Sequence, residues 1–305
     1  MLKRVLPLLL LVLGLRHCAA TPPNIVFILV DDLGATDFGC YGSKFYETPN
    51  IDRLAKDGIR FTQAYSACTV CSPTRASLLT GRNPADLRIT DWIPGHARPK
   101  AKLKVPAWTQ ALKPGLVTLP GLLKKAGYAT ASIGKWHLGP EAPTEHGFDL
   151  NIAGTEAGQP KSYFSPYHNA ALADGPTGEF LTDRLTSEAE KFIEAHRGGP
   201  FFLYLPHYAV HTPLMGKEEV VAKYKAKANP ENPQHNSTYA ALIESVDDSV
   251  GKLRAKLEEL GIADRTVIVV TSDNGGLAQV TSNLGMRAGK GSAYEGGVRI
   301  PLIYF

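Results

Sequence analysis

Residues 24–31 read NIVFILVD, an unbroken apolar and β-branched run closed by an acid. A strand that is apolar at consecutive positions is covered on both faces, as in a parallel sheet with helices on either side. Comparable runs recur at 129–133, 201–205 and 266–271, and 299–305 (RIPLIYF) adds another. Between them, apolar residues return at three-to-four spacing over 180–196 and 239–260, which predicts two amphipathic helices. Shorter helices are expected at 50–57, 73–80 and 119–126. Strands alternating with helices predict an α/β fold with a mostly parallel central sheet flanked by helices. The stretches 86–115 and 155–177 are rich in Pro, Gly and His and too long for plain connectors, so they are expected to line a site.

In open α/β sheets, ligands bind beyond the carboxyl ends of the strands. Asp31 and Asp32 end the first run, and Gly134-Lys135-Trp136-His137 follows the second. His207 and His211 follow the third, and Asp273 and Asn274 the fourth. Four strand ends thus deliver carboxylates, a cation and imidazoles to one edge. Asp31, Asp32, Asp273 and Asn274 offer hard oxygen donors suited to Ca²⁺ or Mg²⁺. Either acidic pair alone could equally serve as turn and helix-cap residues.

Composition narrows the picture. The chain has 305 residues, 44% hydrophobic and 20% charged, enough for a real core and against disorder or a fibre. Residues 1–20 carry a basic start, an apolar stretch and small residues before Thr21, the pattern of a secretory signal peptide. The run is too short for a membrane anchor, so no span is expected after cleavage. Removing Lys3, Arg4 and Arg16 takes the formal charge from +4 to +1. No basic stripe with interleaved aromatics argues for a nucleic-acid partner. Cys40, Cys68 and Cys71 remain, an odd number for an oxidising compartment, which marks one thiol as unpaired or special.

Cys71-Ser72-Pro73-Thr74-Arg75 sits where a loop enters a helix, with Ser72 as the expected N-cap and Pro73 as the first helical residue. That position favours a thiolate or a bound anion, and Arg75 can present a bidentate guanidinium beside it. The motif continues as Ala76-Ser77-Leu78-Leu79-Thr80-Gly81-Arg82. These twelve residues resemble the signature of the formylglycine-dependent sulfatases, in the arylsulfatase branch of the alkaline phosphatase superfamily. NIVFILVDDLG (24–34), TPNIDRL (48–54), GKWHLG (134–139), SDNG (272–275) and GKGSAYEGGVR (289–299) support the resemblance in order and spacing.

The resemblance implies an alkaline-phosphatase-like sulfatase fold, with residues 21–305 as a catalytic domain. The family continues beyond this length into further strands and a smaller carboxyl-terminal domain, so the domain is expected to be incomplete. It also implies that a formylglycine-generating enzyme converts Cys71 to Cα-formylglycine. The hydrated aldehyde attacks a sulfate monoester of a sugar or aryl alcohol and later releases sulfate by elimination. Asp31, Asp32, Asp273, Asn274 and residue 71 then hold one Ca²⁺. Arg75, Lys135 and Lys290 grip sulfate, His211 protonates the leaving oxygen, and His137 serves as base. His207 is expected to orient His211 or shape the pocket. Trp92, His96 and Trp108 are candidate sugar contacts, and Cys40 and Cys68 a candidate disulfide. The implied location is the secretory pathway, meaning periplasmic, extracellular or lysosomal according to host. Rival readings are a phosphate or phosphonate monoester hydrolase of the same superfamily, and an inactive secreted binding protein.

Overall fold

A computed structural model describes residues 22–96, 100 and 102–305, and the leader-like residues 1–20 lie outside them. The elements, in chain order, begin with β1 (Asn24–Val30), α1 (Pro49–Asp57), β2 (Ile59–Arg60), α2 (Cys71–Thr80), α3 (Pro84–Leu87) and α4 (Leu119–Lys125). They continue with β3 (Ala129–Ile133), β4 (Leu150–Ile152), α5 (Leu181–Ala195), β5 (Phe201–Pro206) and α6 (Glu218–Lys227). The last four are α7 (Ser237–Glu259), β6 (Thr266–Ser272), α8 (Glu295–Val298) and β7 (Leu302–Tyr304). One seven-stranded sheet has the order β2-β7-β6-β1-β5-β3-β4.

The four runs read from the sequence are therefore neighbours, β6-β1-β5-β3, and they pair in parallel. Their carboxyl ends meet on one edge. The run at 299–305 is also a strand, but β7 pairs antiparallel with β6, and β2 antiparallel with β7. Short β2 and β4 carry too few residues for a periodic signal, and α6 has a mixed face that buries only Tyr224.

Alternation along the central strands serves two layers. Val26, Ile28 and Val30 of β1 and Phe201, Leu203 and Leu205 of β5 face a large core closed by α1, α5 and α7. On the opposite face, Leu29, Phe202 and Tyr204 meet Ala76 and Leu79 of α2, with Trp136 and Phe148 beside them. No helix among the described residues is long and apolar enough to cross a membrane.

Helix α2 differs from expectation at its start. It begins at Cys71 after an extended Val70, so Ser72 lies inside the first turn rather than capping it. The Ser72 hydroxyl instead accepts the Ile93 N–H at 3.1 Å, tying the 86–115 loop to the helix. Cys40, Cys68 and Cys71 are free thiols rather than a pair plus one. The Cys40 N–H is held by Asp52 and the Cys68 N–H by Thr74, which anchors the two cysteines to α1 and α2 separately.

Candidate active site

Asp31 and Asp32 leave β1 at its carboxyl end, and Asp32 adopts a left-handed backbone with φ 60°. For a non-glycine residue this conformation costs energy and persists only where surroundings enforce it. Here the Asp32 N–H donates to Asp273 Oδ1 at 3.2 Å, and Asn274 Nδ2 donates to Asp32 Oδ1 at 2.8 Å. The acidic ends of β1 and β6 are thus latched side by side.

Cys71 opens α2 beneath them, with Sγ 3.4 Å from Asp31 Oδ1 and 3.9 Å from Asp32 Oδ1. Burial dominates its protonation and, reinforced by Asp31 and Asp273 against the opposing Lys135 and Lys290, pushes the thiol well above its usual range. The helix-start position therefore does not favour a thiolate here, and as a cysteine this side chain is a poor nucleophile.

Three cations interleave with the acids. Arg75, fully buried, donates through Nε and Nη2 to Asp273 Oδ2 at 2.9 and 2.7 Å and through Nη1 to the Lys135 carbonyl. Lys135 Nζ reaches Asp31 Oδ2 at 2.5 Å, and Lys290 Nζ reaches Asp32 Oδ2 at 2.7 Å. Burial would raise both aspartates, but Lys135, His211 and Arg75 hold Asp31 below the usual carboxylate range. His211 and Lys290 do the same for Asp32.

The histidines divide. His211 Nδ1 faces the Thr212 carbonyl at 2.7 Å, and a carbonyl only accepts, so Nδ1 carries hydrogen. Its Nε2 then faces the site, 3.1 Å from Lys290 Nζ and 3.5 Å from Asp32 Oδ2. His137, also left-handed at φ 57°, donates Nε2–H to the Ile93 carbonyl at 2.6 Å. Its buried Nδ1 is left as an unpartnered lone pair, and burial with Lys135 keeps the ring neutral, well below the ordinary histidine value. His207 takes neither expected role. It is fully buried with Nε2 on Ser249 Oγ of α7 at 3.1 Å, where it joins sheet to helix.

A cavity of about 670 Å³ opens over Asp32, Cys71, His137, His211 and Lys290. Both long loops wall it, through Trp92 and His96 on one side and Glu156 and Gln159 on the other. Glu156, Gly158 and Gln159 carry no sequence signal, because a loop position declares its function only through the fold. Gly158 packs so closely that a Cβ would stand 2.6 Å from the His137 ring.

Whether these residues suit a divalent cation is a question of donors and charge. Among the described residues, Asp31, Asp32, Cys71 and His211 place ligand atoms within 4.8 Å of one another. Asn274 Oδ1 is buried without a hydrogen-bond partner, an acceptor whose burial is costly unless a cation or donor meets it. Asp273 is already engaged at both oxygens, by Arg75 at Oδ2 and by the Asp32 N–H at Oδ1. Three carboxylates balance three cations, so a bound divalent ion would leave the site with surplus positive charge suited to an oxyanion. The donor set is hard oxygen at every predicted ligand except the Cys71 sulfur.

A sulfatase family model matches residues 23–305. N-acetylgalactosamine-6-sulfatase of Homo sapiens is 35% identical over 93% of this chain and 57% of its own length. The mouse protein of that name is 36% identical over 97% of this chain and 60% of its own. A sulfatase of Formosa agariphila is 34% identical over 92% and 63%. The chain thus spans less than two thirds of these relatives. Among solved structures, Ps i-CgsB in complex with k-i-k-neocarrahexaose superposes with a TM-score of 0.79 at 34% identity, covering 93% of this chain and 66% of that one.

Proposed function

This chain belongs to the sulfatase family, and on that premise we propose that it hydrolyses sulfate monoesters carried on carbohydrate, at the cluster around Cys71. The observation that carries the reading is the convergence of Arg75, Lys135, Lys290, His137 and His211 on one acidic strand edge at the floor of a cavity. Relatives named for N-acetylgalactosamine-6-sulfate and a neighbour bound to neocarrahexaose support a sulfated sugar.

Asp31, Asp32, Asp273, Asn274 and residue 71 would hold Ca²⁺, which when bound supplies fixed positive charge beside sulfate oxygens. Converted to Cα-formylglycine, residue 71 would supply an oxygen in place of the one soft donor, with two hydroxyls where serine has one. The other roles belong to the chain itself. Lys135 and Lys290, now paired with Asp31 and Asp32, turn toward the sulfate oxygens, while Arg75 anchors Asp273 and the floor. His211 exchanges a proton through Nε2 and delivers it to the departing alcohol oxygen, with Asp32 Oδ2 nearby to stabilise the imidazolium. His137, fixed as the Nε2–H tautomer, accepts a proton on Nδ1. The leader-like residues 1–20 support passage through the secretory pathway, where a formylglycine-generating enzyme would act.

The test pairs mass spectrometry of peptide 61–75 with sulfate release from sulfated sugars, matched phosphate esters serving as controls. Loss of sulfur at Cys71 and chelator-sensitive sulfate release are expected. Turnover of phosphate esters alone would favour the phosphate or phosphonate hydrolase, and sulfate release with sulfur retained at Cys71 would remove the formylglycine step.

A further inference from the structure

A second cavity, of about 280 Å³, adjoins the first. The two share Val70, Pro94, His96 and Gly291, so they are separated by the tip of the loop at 91–96. The partition is a built wall. Asp91 accepts from the N–H of Trp92 and of His96 and from His96 Nδ1–H at 2.9 Å, which leaves His96 Nε2 to accept from Trp92 Nε1 at 3.3 Å. Ile93 ties the wall to the catalytic floor through Ser72 Oγ and His137 Nε2.

The second cavity presents the half-buried Trp108 indole beside Thr69, Thr90 and Asp91. Its segment is fixed: Thr109 N–H bonds the Arg88 carbonyl at 2.6 Å and Arg88 Nη2 the Ala107 carbonyl at 3.1 Å. Gly95 lets the indole lie close, because a Cβ there would stand 2.7 Å from Trp108 Cζ2. An aromatic platform ringed by hydroxyl and carboxylate groups suits a pyranose, which offers an apolar C–H face and a rim of hydroxyls. Its described lining residues offer an indole, hydroxyls and a carboxylate, groups that meet the apolar face and hydroxyl rim of a sugar ring.

We infer that Trp108, with Thr90 and Asp91, forms a subsite for a neighbouring sugar, so that the enzyme acts on sulfated oligosaccharides rather than isolated monosaccharides. The inference rests on the carbohydrate reading of the first cavity.

The test is calorimetric titration of the full chain in a Cys71→Ala background, which prevents turnover. The probes are the disaccharide and hexasaccharide of κ-carrageenan and of chondroitin 6-sulfate. From at least one source the hexasaccharide is expected to bind about tenfold more tightly than its disaccharide. Trp108→Ala then weakens the hexasaccharide about tenfold and the disaccharide less than twofold, and Trp108→Phe restores most of the loss. Equal affinity for both lengths from both sources, or an equal loss for both lengths, would overturn the subsite. If only the sulfatase reading fails, desulfated hexasaccharide binds as tightly as sulfated and the Trp108 effect persists, which upholds the subsite.

Discussion

His137 shows how much of the site is set by a single contact. Its ring is pinned between the Ile93 carbonyl and Gly158, and its left-handed backbone leaves little freedom to retreat. Gly158→Ala would force a methyl group into the ring and move Nδ1. We expect kcat for sulfate release to fall at least tenfold, roughly 1.4 kcal/mol of barrier, while the melting temperature stays near that of the parent. A variant with parental kcat would show that Nδ1 does not need its present position. Gly134-Lys135-Trp136-His137 was legible because motif residues sit at a strand end. Gly158 was not, because its role is the absence of a side chain beside a residue distant in sequence.

At the scale of elements, the four central strands and the long helices were readable because continuous apolar runs and three-to-four spacing follow from burial on a sheet. The start of α2 was misplaced because Ser72 has the chemistry of a cap yet spends its hydroxyl on Ile93. Helix α1 shows a related limit. Thr48 precedes it without capping it, and Asp247 of α7 accepts from Asn50 N–H at 3.1 Å and Ile51 N–H at 2.8 Å instead. A cap supplied from 196 residues away leaves no local signature. Asp247→Ala should cost about 2 kcal/mol in denaturant unfolding, at the upper end for a lost cap, because a buried and a half-buried N–H group lose their shared acceptor. A loss below ~0.5 kcal/mol would mean that water caps α1 equally well.

For the whole molecule, the sheet-to-α7 interface carries an acid sensitivity. His207 is fully buried, and burial, opposed weakly by Asp183, pushes its pKa down from 6.5 to about 4. The unfolded chain therefore takes up the proton first as pH falls. Stability from this group is complete above pH 6.5, declines between 6.5 and about 4, and is flat below, a loss on the order of 3 kcal/mol. His207→Asn should flatten that part of the profile measured by urea unfolding, and an unchanged slope would assign the acid sensitivity to other groups.

The sheet order also sets a timetable. Strand β1 is central, yet its partner β6 pairs Thr266 with Asn24, 242 residues further along. At ribosomal speeds of ~5–20 residues per second, β1 and the Cys71 segment wait roughly 10–50 s before β6 can bring Asp273 over them. In the finished fold Cys71 is 1% exposed. Any catalyst that must grasp this thiol works against a clock that starts when residue 71 leaves the ribosome and stops when β6 docks.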